Sequence, residues 1–138
     1  MKRIFFVLPF ALIATKELYA ASWLPVFSSD TDRYYINIES VKKTSYGMVN
    51  AWFKKEIVKD TVKDGQTIGD YTLLMYQVDC EQRKYGVLSA QAYKNNKHMP
   101  NSSFTSSYSE MTPAVPESIG EGVVDKSCKA WEMLSVKY

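Results

Sequence analysis

The chain has 138 residues, with 17 basic and 15 acidic side chains, a single histidine and two cysteines. That length bounds one domain with one core. Lys2, Arg3, Lys16 and Glu17 all fall in the N-terminal leader, so the remainder holds 14 charges of each sign, and a balanced domain offers no field to draw nucleic acid or an anionic bilayer.

The leader opens with Met1, Lys2 and Arg3, runs through the apolar residues Ile4 to Ala14, and closes on Leu18, Tyr19, Ala20 and Ala21. A basic start, a short apolar run and a small-residue junction are the marks of a secretory signal peptide. The run is broken by Pro9 and is shorter than the roughly 17 to 25 residues that span a bilayer, so no membrane span is expected. The reading divides the chain into a signal peptide, 1–20, and one domain, 21–138, cut after Ala20 or Ala21. Neither cysteine stands at that junction to carry a lipid.

Trp23 to Ser28 alternates as a first strand, and Asp30, Thr31 and Asp32 turn the chain into a second, Arg33 to Ile38. Met48 to Val58 reads as a longer strand with Val49, Ala51, Phe53 and Ile57 on one face and Asn50, Trp52, Lys54 and Glu56 on the other. Lys59 to Asp70 is a polar turn segment carrying Asp64-Gly65 and Ile68-Gly69. Tyr71 to Cys80 follows, with Leu74, Tyr76, Val78 and Cys80 on a common face. After a tight connection at Glu81 and Gln82, Arg83 to Tyr93 returns, its alternation placing Tyr85, Val87 and Tyr93 on one side and Leu88, Ala90 and Ala92 on the other. Lys94 to Ser103 reads as an exposed loop, and Phe104, Ser106 and Tyr108 as a last strand before Pro113 and Pro116.

Ser118-Ile119-Gly120-Glu121 matches a capping box, so a helix starts there. Ile119, Val123, Val124, Cys128 and Trp131 recur at helical spacing. Gly120 and Gly122 each weaken a helix interior by roughly 1 kcal/mol, which predicts an irregular first turn. Export places Cys80 and Cys128 in an oxidising compartment, and with no third thiol only one pairing exists. That bridge would pin the apolar stripe of the helix to the strand face carrying Leu74, Val78 and Cys80. The fold class is therefore α+β, one antiparallel sheet of about six strands with a C-terminal helix tethered to one face by the disulfide.

The residues offer little catalytic chemistry. Serine or cysteine nucleophiles need a base, nearly always histidine, and His98 sits in a polar segment while both thiols are expected in the bridge. Asp79 and Glu81 have the carboxylates of a glycosidase pair, yet a solvated strand end accounts for both. Zinc would need two ligands besides the two cysteines, for which the chain offers only His98 beside its carboxylates, and no glycine loop carries the lysine of a phosphate cradle. No catalytic residue, metal or cofactor is expected. The basic pairs Lys42-Lys43, Lys54-Lys55 and Arg83-Lys84 lie near Tyr46, Trp52 and Tyr85, and either keep strand edges soluble or form an aromatic and basic binding face.

Taken in order, Trp23-x-x-Val26, Tyr35-Ile36-Asn37-x-x-Ser40, Gly47-x-Val49-x-x-Trp52, Asp79-Cys80-x-x-Arg83-x-Tyr85, and Pro116 to Glu121 ending at Cys128 resemble the surface-adhesin protein E family. Asn37 stands where the family usually has aspartate, Glu117 where it usually has glycine, and Met111 near where it often has tryptophan. The resemblance implies a sheet of about six strands with a disulfide-tethered C-terminal helix, and an adhesin-like module that binds host matrix proteins such as vitronectin and laminin. The expected binding residues are Arg83, Lys84, Tyr85, Lys97, Phe104 and Tyr108, since loops on a rigid scaffold often carry recognition. The expectation is thus an exported, non-catalytic binding protein, periplasmic or at the cell surface. The alternative is a periplasmic accessory or small-ligand carrier. An exposed edge strand permits a homodimer by sheet extension, though no pattern requires one.

Overall fold

The computed structural model describes residues 23–59 and 65–136, so the expected signal peptide lies outside the described residues. Nine strands form one antiparallel sheet: β1 (Trp23–Ser28), β2 (Asp32–Asn37), β3 (Lys42–Lys43), β4 (Val49–Ile57), β5 (Tyr71–Asp79), β6 (Lys84–Lys94), β7 (Lys97–His98), β8 (Phe104–Thr105) and β9 (Thr112–Pro113). The helix α1 (Ile119–Ser135) follows. The strand order is β1-β2-β4-β5-β6-β7; β3 lies beside β4, and β8 and β9 lie beside β6. Chain neighbours are thus sheet neighbours almost throughout, as expected of strands joined by short turns.

The break between β2 and β3 is closed by a side chain. Ser40 Oγ donates to the Asn37 carbonyl (2.7 Å) and accepts from the Trp52 N–H of β4 (2.9 Å), so the ladder continues across the gap. Along the far edge, β9, β8 and β7 successively cover β6 at Lys84–Tyr85, Ser89–Ala90 and Tyr93–Lys94. The expected loop from Lys94 to Ser103 therefore contains a strand. Asn95 and Asn96 both adopt positive φ (49° and 61°), and Lys94 pairs with Lys97, which is the two-residue hairpin turn that asparagine accommodates. The expected last strand is likewise shorter, Phe104–Thr105 alone.

One face of the sheet and the apolar side of α1 enclose the core. Ile36, Val49, Ala51, Phe53, Val78, Val123 and Val124 are essentially inaccessible. Phe53 meets Tyr76 edge-on, and Phe27 stacks on Tyr34 at 4.8 Å. Burial pushes the Tyr34 phenol up to about 12, with Asp32 adding to the shift, and raises Tyr76 further still. The helix buries Gly120, Val123, Val124, Ser127 and Ala130, whereas Ile119 at its start is 38% exposed. Small residues on this stripe let the helix axis sit close to the sheet. A Cβ on Gly120 would lie 2.5 Å from Cζ and 2.6 Å from Oη of Tyr85. That position is a contact with β6 rather than a weak first turn.

Ser118 caps α1, accepting from the Glu121 N–H at 3.3 Å. The reciprocal half of the capping box is replaced: the Ser118 N–H donates to the Val115 carbonyl at 3.2 Å. Cys80 and Cys128 are joined, 48 residues apart in sequence with Cα atoms 5.9 Å apart, and there is no free cysteine. The tether that the sequence predicts between the helix stripe and the sheet is present.

Two bulges set which side chains share a face. In β1 Val26 is the extra residue between Pro25 and Phe27, and in β6 Leu88 is the extra residue between Val87 and Ser89. An inserted residue reverses the alternation beyond it. Tyr85 and Val87 consequently pack with the core, opposite Val78 and Tyr76, while Tyr93 lies on the opposite face beside Tyr71. The simple alternation that grouped Tyr93 with Tyr85 and Val87 fails at this bulge.

Candidate functional site

The sheet face turned away from α1 is assembled from three rows of side chains running across the strands. Because Phe53 and Ala51 are core residues, Trp52, Lys54 and Glu56 point outward from β4. Pairing then aligns Trp52 with Met75 and Ser89; Tyr35 with Lys54, Leu73 and Gln91; and Arg33 with Glu56, Tyr71, Tyr93 and His98. Among the described residues no helix covers this face, and its aromatic and apolar side chains are only partly exposed because they cover one another.

The contacts within the rows form a continuous ladder. Tyr71 and Tyr93 stack at 4.9 Å with their planes 13° apart, and the His98 ring lies 5.3 Å from Tyr93. Lys54 Nζ sits 4.6 Å from the centre of the Tyr71 ring and 5.8 Å from that of Tyr35, a cation held over two aromatic faces. Its nearest carboxylate oxygen, on Glu56, is 3.9 Å away. His98 Nε2 lies 2.7 Å from Gln91 Oε1, which can only accept, so Nε2 donates. The amide nitrogen of Gln91 in turn donates within a cluster of Ser89 Oγ, the Phe104 carbonyl and Thr105 Oγ1 at 2.9–3.1 Å. These side chains are thus fixed against one another by stacking, cation–π contact and hydrogen bonds.

The six residues expected from sequence do not form one patch. Arg83, at φ 53°, donates to Asp125 at 2.6 Å and fastens the β5–β6 turn to the helix; that hydrogen bond and the Asp125 charge hold its guanidinium more firmly protonated than usual. Tyr85 lies beneath Gly120. Lys84 pairs with Asp79 and Pro113 at the start of β6. Lys97, Phe104 (51% exposed) and Tyr108 (77% exposed) follow one another along the rim outside β6. Of the alternative acids, Asp79 Oδ1 accepts from the Glu81 and Gln82 N–H groups, so it holds the turn.

Alternation along β4 turns Trp52 and Lys54 outward but does not by itself connect them with Tyr35, Tyr71, Tyr93 and His98. The missing signal was partly available: Asn95-Asn96 is a hairpin turn, and that turn seats His98 opposite Tyr93. The bulge at Leu88, which carries Tyr93 to this face, has no comparable signature.

Two depressions lie on the other side of the sheet. One, of about 300 Å³, is lined by Lys55, Gln66, Thr72, Ala92, Met99 and Ser102. The other, of about 190 Å³, runs between β1 and α1. Among the described residues there is no cluster of three or more histidine, cysteine, aspartate or glutamate side chains able to hold a metal, and no helix is long and apolar enough to cross a membrane.

Neither a curated protein nor a solved structure matches the chain. The profile of the family described as surface-adhesin protein E matches residues 23–129, which takes in the whole sheet, the disulfide and most of α1. With more than half its length matched, and with the disulfide-tethered helix on an antiparallel sheet, the chain belongs to the surface-adhesin protein E family.

Proposed function

We propose that this chain is an exported, non-catalytic adhesin that binds a host extracellular-matrix protein, of the vitronectin or laminin kind, through the uncovered face of its sheet. The observation that carries the reading is the chemistry of that face. Antiparallel sheets commonly leave one side to solvent, and that side is ordinarily polar. Here it presents Tyr35, Trp52, Tyr71, Leu73, Met75 and Tyr93 around a fixed lysine. Tyrosine, tryptophan and methionine in a pre-ordered patch are the composition of protein interfaces. Family membership supports the same class of activity. The rim residues Lys97, Phe104 and Tyr108 extend the patch around the β6 edge in this reading.

The test is binding of the mature chain, 21–138, to immobilised vitronectin and laminin. Saturable binding that survives raised salt, and that Trp52→Ser and Tyr71→Ser each weaken by about tenfold or more, is expected of aromatic anchors. Binding unaffected by both substitutions, in variants that retain their fold, removes this face from the account. A second reading, a periplasmic small-ligand carrier, draws on the depression around Lys55 and Thr72, whose volume is at the lower end for ligand pockets. A co-purifying small molecule seen by native mass spectrometry is the result that would favour it.

A further inference from the structure

The groove between β1 and α1 differs in character from the aromatic face and lies on the opposite side of the sheet. Its floor is Val26, Ile36, Ile38 and Ala130, its lips are Leu24, Pro25 and Met133, and its helical wall carries Lys126 and Lys129. Leu24 is 49% exposed and Met133 64%, while Ile36 and Ala130 beneath them are buried. No acidic residue lines the groove. Lys126 and Lys129 are one turn apart on the helix, and among the described residues neither has a carboxylate within ion-pair distance. The wall is held in place by Cys128, bonded to Cys80 between these two lysines in sequence.

We propose that this groove receives a polypeptide segment of a partner protein, in which aliphatic side chains are flanked by acidic residues. Two features select this occupant. The groove, about 190 Å³, falls short of the roughly 300–1,000 Å³ of small-molecule pockets but takes an aliphatic anchor. Its apolar floor beside two unpaired cations is complementary to an apolar residue with neighbouring carboxylates. A second copy of this chain adding as a strand is disfavoured at the same place. Pro25 has no N–H to donate, and the bulge at Val26 breaks the register of the free edge. Met133 at the lip supplies a side chain that adapts to differently shaped anchors.

The probe is a capped hexapeptide, Glu-Glu-Leu-Leu-Glu-Glu, titrated into isotope-labelled mature protein and followed by amide chemical shifts. The expected result is a set of shifts confined to Leu24, Val26, residues 36–38 and residues 126–133. The control Lys-Lys-Leu-Leu-Lys-Lys, and the surface variant Lys126→Glu/Lys129→Glu with the acidic peptide, should each bind about tenfold more weakly. Equal response to both peptides, shifts centred elsewhere, or no response overturns the proposal. A response to phosphatidylglycerol vesicles without one to the acidic peptide also overturns it, in favour of a lipid surface.

Discussion

Gly120 provides a sharp test of how the helix is seated, because two effects of known sign oppose each other there. Alanine is better than glycine in a helix by up to about 1 kcal/mol, so helix propensity alone predicts that Gly120→Ala stabilises the protein. The structure predicts the reverse. The new Cβ would approach Cζ and Oη of Tyr85 to 2.5 and 2.6 Å, about 1 Å inside ordinary contact. Tyr85 cannot swing away freely, since it stands opposite Val78 on β5 and its ring lies 6.2 Å from that of the buried Tyr76. Either the ring or the first turn of α1 must move, and overpacking of this kind costs about 1–3 kcal/mol. With an approach about 1 Å inside contact the cost falls in the upper half of that range, about 2–3 kcal/mol, and subtracting a propensity gain of about 1 kcal/mol leaves a destabilisation of about 1–2 kcal/mol, a fall in Tm of roughly 5–10 °C. Thermal and urea unfolding of Gly120→Ala, Tyr85→Ala and the double variant measure this as a cycle. The alanine at 120 should destabilise the parent and be neutral or favourable once Tyr85 is truncated. A Gly120→Ala protein as stable as the parent would refute the close seating of helix on sheet.

Three further outcomes follow from the same geometry. Replacing Cys80 and Cys128 together by alanine releases a constraint across a 48-residue separation and should lower stability by about 4 kcal/mol in urea unfolding, with loss of helical signal ahead of sheet signal. Glu117 adopts φ 61° immediately before the helix cap, a backbone region that favours glycine, so Glu117→Gly should raise stability by about 1 kcal/mol in the same assay. Asp70 is buried and accepts from the N–H groups of Thr67 and Asn95 at 2.9 and 3.0 Å; these bonds lower its pKa, with Lys94 adding to them, against the opposing effect of burial. A carboxyl with a depressed folded pKa contributes stability above its unfolded value of about 4 and loses it as pH falls through the folded value. Asp70→Asn should therefore be less stable at neutral pH and show a flatter acid limb in unfolding curves taken from pH 6 downward.

Much of this architecture was legible in the residues. The alternation of Val49, Ala51, Phe53 and Ile57 identifies β4 and its inner face, and two cysteines with no third thiol have a single way to pair. Ser118 marked the helix start to the residue. What the sequence concealed were the features that depend on register. A bulge leaves no fixed residue type behind, so the side on which Tyr93 emerges could not be read from β6 alone, and with it the alignment of Tyr35, Lys54, Tyr71 and His98 across five strands. Gly120 is a related case. Its value lies in the approach of Tyr85 from another strand, while propensity describes only the helix it belongs to. Glu117 shows the converse: it stands where the family usually has glycine, and its φ of 61° is a backbone position that glycine fits.

The account rests on a domain displayed where host matrix protein can reach the aromatic face. Protease added to intact native cells, followed by detection of the chain in the cell fraction, tests this most directly. The account predicts that the protein disappears while periplasmic markers survive; a chain that stays protected until the outer envelope is opened would contradict it.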